Sequence, residues 1–170
     1  MERYVGPGAG DPFSAGWLRT GDLGYLSEGE LFVTGRIKDI VIAFGRNYPA
    51  EDIEWAVRRV EGVRRGRCVA FSEPDGSDDA LVIAVEPAAD DADGLPLRIR
   101  AAVVNSIGIA PRRILVLRRG TIPFTTSGKL QRAGLRSAYA DGTLASATLA
   151  NVVAGRDARA EMARGARSHG

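Results

Sequence analysis

The chain has 170 residues, 45% hydrophobic and 26% charged, with 23 basic and 21 acidic side chains and a formal net charge of +2. That length suits one compact domain with tails, and so small an excess of charge gives no general argument for a nucleic-acid partner. One cysteine (Cys68) and one histidine (His169) exclude an internal disulfide and a His/Cys metal site, and no apolar run reaches the roughly 20 residues of a membrane span.

Taken in chain order, residues 1–16 carry four glycines and two prolines and form a loop, without the apolar core of a signal peptide. Leu31-Phe32-Val33-Thr34 is a short strand after the turn Ser27-Glu28-Gly29-Glu30. The β-branched run Ile40 to Phe44 is a buried strand. Pro49 to Val60 is a helix: Pro49 suits its first turn, Glu51, Asp52 and Glu54 face the positive end of the dipole, and Arg58 and Arg59 the negative end. Ile53, Ala56, Val57 and Val60 give it one apolar stripe, and Gly62 a stop. Arg67 to Phe71 and Ala80 to Val85 are strands separated by the turn-rich Glu73–Asp79, and Cys68 is a small buried hydrophobe. Residues 87–94 form a polar loop, Leu97 to Ile107 a helix closed by Gly108, and Ile114 to Leu117 the last strand. Residues 118–129 are loop, and Leu130 to Tyr139 a short helix. Beyond Gly142 the composition turns Ala-rich, with helix expected around 144–153, and then Arg/Gly-rich and disordered over 155–170, where the arginines read as a solvated tail. From 40 to 117 the order is β-α-β-β-α-β, an α+β layer domain preceded by a short β-hairpin.

Three segments carry polar residues that packing alone explains poorly. In Thr20-Gly21-Asp22-Leu23-Gly24, an acidic residue in a glycine-flanked turn suits either an ordinary turn or a ribose diol, whose two hydroxyls it can accept. In Gly35-Arg36-Ile37-Lys38-Asp39, followed by Gly45-Arg46-Asn47, Arg36 suits either a charged hairpin or a phosphate contact. In Pro123-Phe124-Thr125-Thr126-Ser127-Gly128-Lys129-Leu130-Gln131-Arg132, a flexible loop presents Lys129 before a helix. Lys129 can neutralise a carboxylate or phosphoryl group, or Ser127 can simply cap the helix. The last segment is no P-loop: the required upstream glycine is absent, and Leu130 stands where a magnesium-binding Ser or Thr belongs.

In this order and spacing, the three segments resemble the C-terminal domain of the superfamily of acyl-CoA synthetases, nonribosomal-peptide adenylation domains and luciferases. The likeness covers roughly residues 16–140. The wording Leu18-Arg19-Thr20-Gly21-Asp22-Leu23-Gly24, Gly29-Glu30-Leu31-Phe32-Val33-Thr34-Gly35-Arg36 and Thr126-Ser127-Gly128-Lys129-Leu130-Gln131-Arg132 is most similar to fatty acyl-AMP ligases. One departure is visible: Tyr48 follows Asn47 directly, where that subfamily commonly has His-Tyr-Pro, so the loop shaping the acceptor tunnel is expected to differ.

The resemblance implies three divisions: residues 1–16 connecting to a large domain, 17–142 as the lid domain, and 143–170 as a partly disordered tail. It implies that Asp22 binds the ribose hydroxyls, that Arg36 contacts the same nucleotide, that Lys38 is the hinge, and that Lys129 is the mobile catalytic lysine. It implies that Gly45, Arg46 and Asn47 line the path of a phosphopantetheine arm. ATP and AMP are then substrates, with Mg2+ accompanying ATP and no metal site in this chain. The implied partners are a large N-terminal adenylation domain, an acyl carrier protein or polyketide synthase, and a fatty acid; no nucleic acid or membrane span is expected. The location expected is cytoplasmic. The chain alone is expected to be inactive, because the phosphate-binding loop and acyl pocket lie in the large domain. Two alternatives stand beside this: a freestanding regulatory module that docks on a ligase or carrier protein, and the lid of an acyl-CoA synthetase.

Overall fold

The computed structural model describes residues 13–14, 16–75, 78–89 and 93–153. The expected loop through residue 12, parts of the loops at 76–77 and 90–92, and the tail from 154 with His169 lie outside the described residues. The chain divides into two compact units, Met1–Asp39 and Ile40–Gly170.

In the first unit, β1 (Phe13–Ser14) pairs antiparallel with β2 (Trp17–Leu18), and β3 (Asp22–Ser27) with β4 (Glu30–Arg36). Glu28 and Gly29 make the β3–β4 turn with φ of 52° and 85°, the doubly positive geometry that matches the twist of two strands. The register shifts between Leu23 and Gly24, and a Cβ on Gly24 would stand 2.6 Å from the Phe32 carbonyl oxygen, so no side chain fits there. Tyr25 and Phe32 stack with ring centroids 5.2 Å apart, yet Leu26, Leu31 and Val33 are exposed. A single 3-10 turn, Ile37–Asp39, ends the unit.

The second unit opens with β5 (Ile40–Ala43) and β6 (Arg46–Pro49), followed by α1 (Ala50–Arg58), β7 (Val63–Asp75) and β8 (Asp78–Pro87). Then come α2 (Leu95–Ile107), β9 (Arg113–Leu117), α3 (Arg132–Ala140), a 3-10 turn at Thr143–Ala147 and β10 (Thr148–Val153). The main sheet runs β10-β9-β8-β7; β8 and β9 are parallel, joined through α2, and the other pairs are antiparallel.

Both faces of this sheet are covered, which is why its strands read as unbroken apolar runs. Cys68, Ala70, Leu81, Ile83, Val85, Ile114 and Val116 face α1 and α2, where Ile53, Val57, Leu95, Ile99 and Val103 meet them. The alternate residues Val69, Phe71, Val82, Ala84, Leu115 and Leu117 face Ile122, Leu135 of α3 and Leu144. Each fully buried aliphatic side chain stabilises the unit by about 1.5–3 kcal/mol. Burial pushes the Cys68 thiol well above its ordinary pKa, as befits a packed core residue.

The α+β architecture and the leading hairpin are as expected, with three differences. β5 does not join the main sheet; it pairs with β6, a strand hidden in the polar Arg46-Asn47-Tyr48-Pro49. Pro49 therefore ends a strand, with φ −59° and ψ 128°, and flanks α1 instead of lying in its first turn. The helix expected around 144–153 is a 3-10 turn followed by β10, which brings β-branched Thr148 and Val152 to the edge of β9.

Candidate functional site

In the first unit, cross-strand register sets Asp22 opposite Arg36, and Arg36 Nε lies 2.7 Å from Asp22 Oδ1. The Asp22 amide donates to Thr20 Oγ1 at 3.1 Å, and the Ile37 amide to the Gly21 carbonyl at 2.9 Å. Both side chains remain partly open, Arg36 at 52% and Asp22 at 31% exposure, so the pair itself contributes only about 0.2–1 kcal/mol. Its chemical content is directional: one carboxylate oxygen and the guanidinium's remaining donors stay available to a polar ligand. Lys38 is exposed in the 3-10 turn, and the boundary between the two units falls after Asp39.

In the second unit, Gly45, Arg46 and Asn47 occupy the tip of the β5–β6 hairpin and are exposed. Phe44 and Gly45 make the turn with φ of 51° and 71°.

Lys129 sits in the same unit, at the end of a turn that is stapled shut. The Thr125 amide donates to the Lys129 carbonyl (2.8 Å), the Gly128 amide to the Thr125 carbonyl (2.9 Å), and the Gln131 amide to the Pro123 carbonyl (3.0 Å). Thr125 Oγ1 accepts the Lys129 amide at 2.9 Å and lies 2.9 Å from Ser127 Oγ. Phe124 and Leu130 form a bridge below, and Gly128 takes φ 77° at the bend. The expected flexible loop is thus a closed turn, and Ser127 bonds within it instead of capping α3, which starts at Arg132 behind Gln131. Lys129 itself is exposed.

Behind this turn lie two fully buried carboxylates that sequence reasoning did not single out as site residues. Glu54 of α1 accepts Arg132 Nε on Oε1 (2.9 Å) and Arg132 Nη2 on Oε2 (2.8 Å), together with the Ala70 amide and Arg58. Glu86 at the end of β8 accepts the Ile122 amide (2.9 Å) and Arg64 Nη1 (2.9 Å). Arg67 spans from Glu86 to the Phe124 ring, 4.0 Å away. The available signal for Glu54 is its place in the stripe Ala50, Ile53, Glu54, Val57: a charge at a core-facing position. Among the described residues no group of three acidic, His or Cys side chains is arranged to hold a metal, and no helix is long and apolar enough to cross a membrane.

No family model matches the chain. Over 144 residues it is 40% identical to the putative fatty-acid–CoA ligase FadD21 of Mycobacterium tuberculosis, a match that covers 79% of this chain and 24% of the relative. Over 162 residues it is 37% identical to the long-chain-fatty-acid–AMP ligase FadD32 of Mycolicibacterium smegmatis, covering 81% and 26%. Among solved structures it superposes on McyG A-PCP complexed with phenylalanyl-adenylate with a TM-score of 0.71 and 38% identity, covering 79% of this chain and 25% of that one. The chain spans about a quarter of the length of the curated relatives it matches. By sequence and by fold, the chain is similar to a part, about a quarter, of the fatty-acid ligases and adenylation domains of the adenylate-forming superfamily, consistent with the C-terminal domain of those enzymes.

Proposed function

We propose that this chain is the lid of an ATP-dependent fatty acyl-AMP ligase, working with a large N-terminal adenylation domain supplied in the same polypeptide or in trans. The observation that carries the reading is Lys129: one exposed lysine on a closed turn, braced from behind by the buried core. Residues 17–142 are the lid proper, residues 1–16 the connection, and the tail follows from 143, its first part adding β10 to the sheet. A cytoplasmic location goes with this reading.

In the first half-reaction the fatty-acid carboxylate attacks the α-phosphorus of ATP, and pyrophosphate leaves with the P–O bond electrons. Two anions approach each other, so the barrier is electrostatic. Lys129 offsets the charge that builds on the carboxylate and the α-phosphoryl oxygens and aligns the two. Asp22 accepts the ribose hydroxyls, and Arg36, its partner at 2.7 Å, contacts the nucleotide nearby. Magnesium accompanies ATP as part of the substrate. In the second half-reaction a thiol attacks the acyl carbonyl and AMP leaves. Lys129 must then withdraw, because its place is where the thiol has to approach. Rotation about Lys38 accomplishes this; the division of the chain after Asp39 supports that position for the hinge. The Gly45-Arg46-Asn47 tip then lines the path of the phosphopantetheine arm on an acyl carrier protein or polyketide synthase. Coenzyme A is the alternative acceptor, a reading that the name of the FadD21 relative favours.

The test is Lys129→Ala assayed with the large domain present, one half-reaction at a time. Acyl-adenylate formation, read as pyrophosphate release, falls by roughly 10²–10³-fold, while transfer from preformed adenylate is spared. Equal losses in the two steps overturn the assignment.

A further inference from the structure

The lysine turn is held at both feet by buried charge. At the entry, Ile122 donates its amide to Glu86 and offers its carbonyl to Arg67 Nη1 at 3.4 Å. At the exit, Arg132 places both arms of its guanidinium on the two oxygens of Glu54. Glu54 is 0% exposed, and the Arg132 side chain is 18% exposed. Glu54 belongs to α1, on the α1–α2 side of the sheet, whereas α3 packs on the other side. The contact passes the outer edge of β7, the terminal strand, whose Ala70 amide also donates to Glu54.

Buried ion pairs are poor net stabilisers: desolvation offsets most of their attraction, and an apolar replacement is often as stable. What a two-pronged guanidinium–carboxylate contact supplies is fixed distance and orientation, which a lysine in the same place does not reproduce. Lys129 stands shortly before Arg132, with only Leu130 and Gln131 between them. Leu130 is bridged to Phe124, and Gln131 is bonded to Pro123, so displacement of Arg132 is passed to the turn through the backbone.

We propose that Glu54 and Arg132 are a positioning pair for Lys129: the clamp fixes the exit foot of the turn and so sets the reach of the lysine amine. The activity arm rests on the reading of Lys129 as the adenylation lysine; the structural arm does not. Neither residue touches substrate. Misplacing a reacting group by about 1 Å costs on the order of 10²-fold in rate, so an anchor at this distance has catalytic leverage without chemistry of its own.

The experiment uses Arg132→Lys, which keeps the charge and loses the fork, and Arg132→Met, which fills the space without charge. In the 170-residue chain, amide hydrogen exchange is read at Gly128, Lys129 and Gln131 and compared with Ile83 and Ala84 in the sheet. The turn amides exchange at least about tenfold faster in both variants, while the sheet amides stay within about twofold, the signature of local opening. Uniform acceleration everywhere, or none in the turn, overturns the proposal. With the large domain present, Arg132→Lys lowers kcat for adenylate formation about tenfold, with KM for ATP within about twofold, and has no further effect in a Lys129→Ala background. A loss that adds to that of Lys129→Ala overturns the clamp. If Lys129→Ala itself leaves adenylation intact, the lysine assignment fails, and the exchange comparison alone then decides the clamp.

Discussion

The chain contains two hairpins built on one backbone plan that meet opposite fates. β3–β4 and β7–β8 are both antiparallel pairs of strands that follow one another in the chain. In β7–β8 the apolar side chains of both faces are buried, with Leu81, Val82, Ile83, Ala84 and Val85 all at 0% exposure. In β3–β4 the apolar side chains stay in water, Leu26 at 75% and Leu31 at 67%. Antiparallel pairing is therefore not what distinguishes a structural strand from a marginal one. A two-stranded ribbon without cover is marginal in water, and it becomes firm only when something takes up its apolar face. The hairpin that carries the Asp22–Arg36 pair, which we propose faces the nucleotide, is the exposed one, and the proposed large domain is what would cover it.

That contrast can be broken by mutation. Ile83→Ala removes a fully buried side chain and costs about 2–5 kcal/mol, read by denaturant unfolding of the second unit. Tyr139→Phe is milder, about 1 kcal/mol, because Glu73 keeps Arg113 when it loses the phenol's hydrogen bond. The effect has a pH signature. Burial first, then the bond to Glu73, pushes the Tyr139 phenol up to about 12 from its ordinary 10. The folded state thus holds that proton more tightly than the unfolded state. Wild type's advantage over Tyr139→Phe is constant below pH 10 and disappears as pH rises from 10 to about 12. Leu31→Ala, on the exposed hairpin, shifts stability by less than about 0.5 kcal/mol in this chain alone. A cost comparable to that of Ile83→Ala would mean that the two hairpins are not opposites after all.

How legible these features are depends on which physical term fixes each one. β7, β8 and β9 are visible as apolar runs and α1 as a periodic stripe, because burial dictates their side chains. β6 is invisible: Arg46-Asn47-Tyr48-Pro49 is held by backbone pairing with β5, and its side chains carry no strand pattern. β10 hides in an Ala-rich stretch because an edge strand needs only one covered face. In the site, Asp22, Arg36 and Lys129 stand out as polar residues in glycine-marked turns. Their internal bonding does not, since the 2.7 Å Asp22–Arg36 contact depends on a register shifted at Gly24. Glu54 looks like a helix-dipole partner because its acceptor role depends on Arg132, far along the chain.

β10 has one more consequence. It covers the outer side of β9, whose Ile114-Leu115-Val116-Leu117 is buried throughout. A version of the chain stopped at Ala147 would keep its core and every residue proposed for the site. It would also leave a row of unpaired amides and carbonyls beside an apolar strand, the surface on which a second copy can add itself. Strand Thr148–Val153 takes up the groups along that edge of β9 that such a shortened chain would leave open.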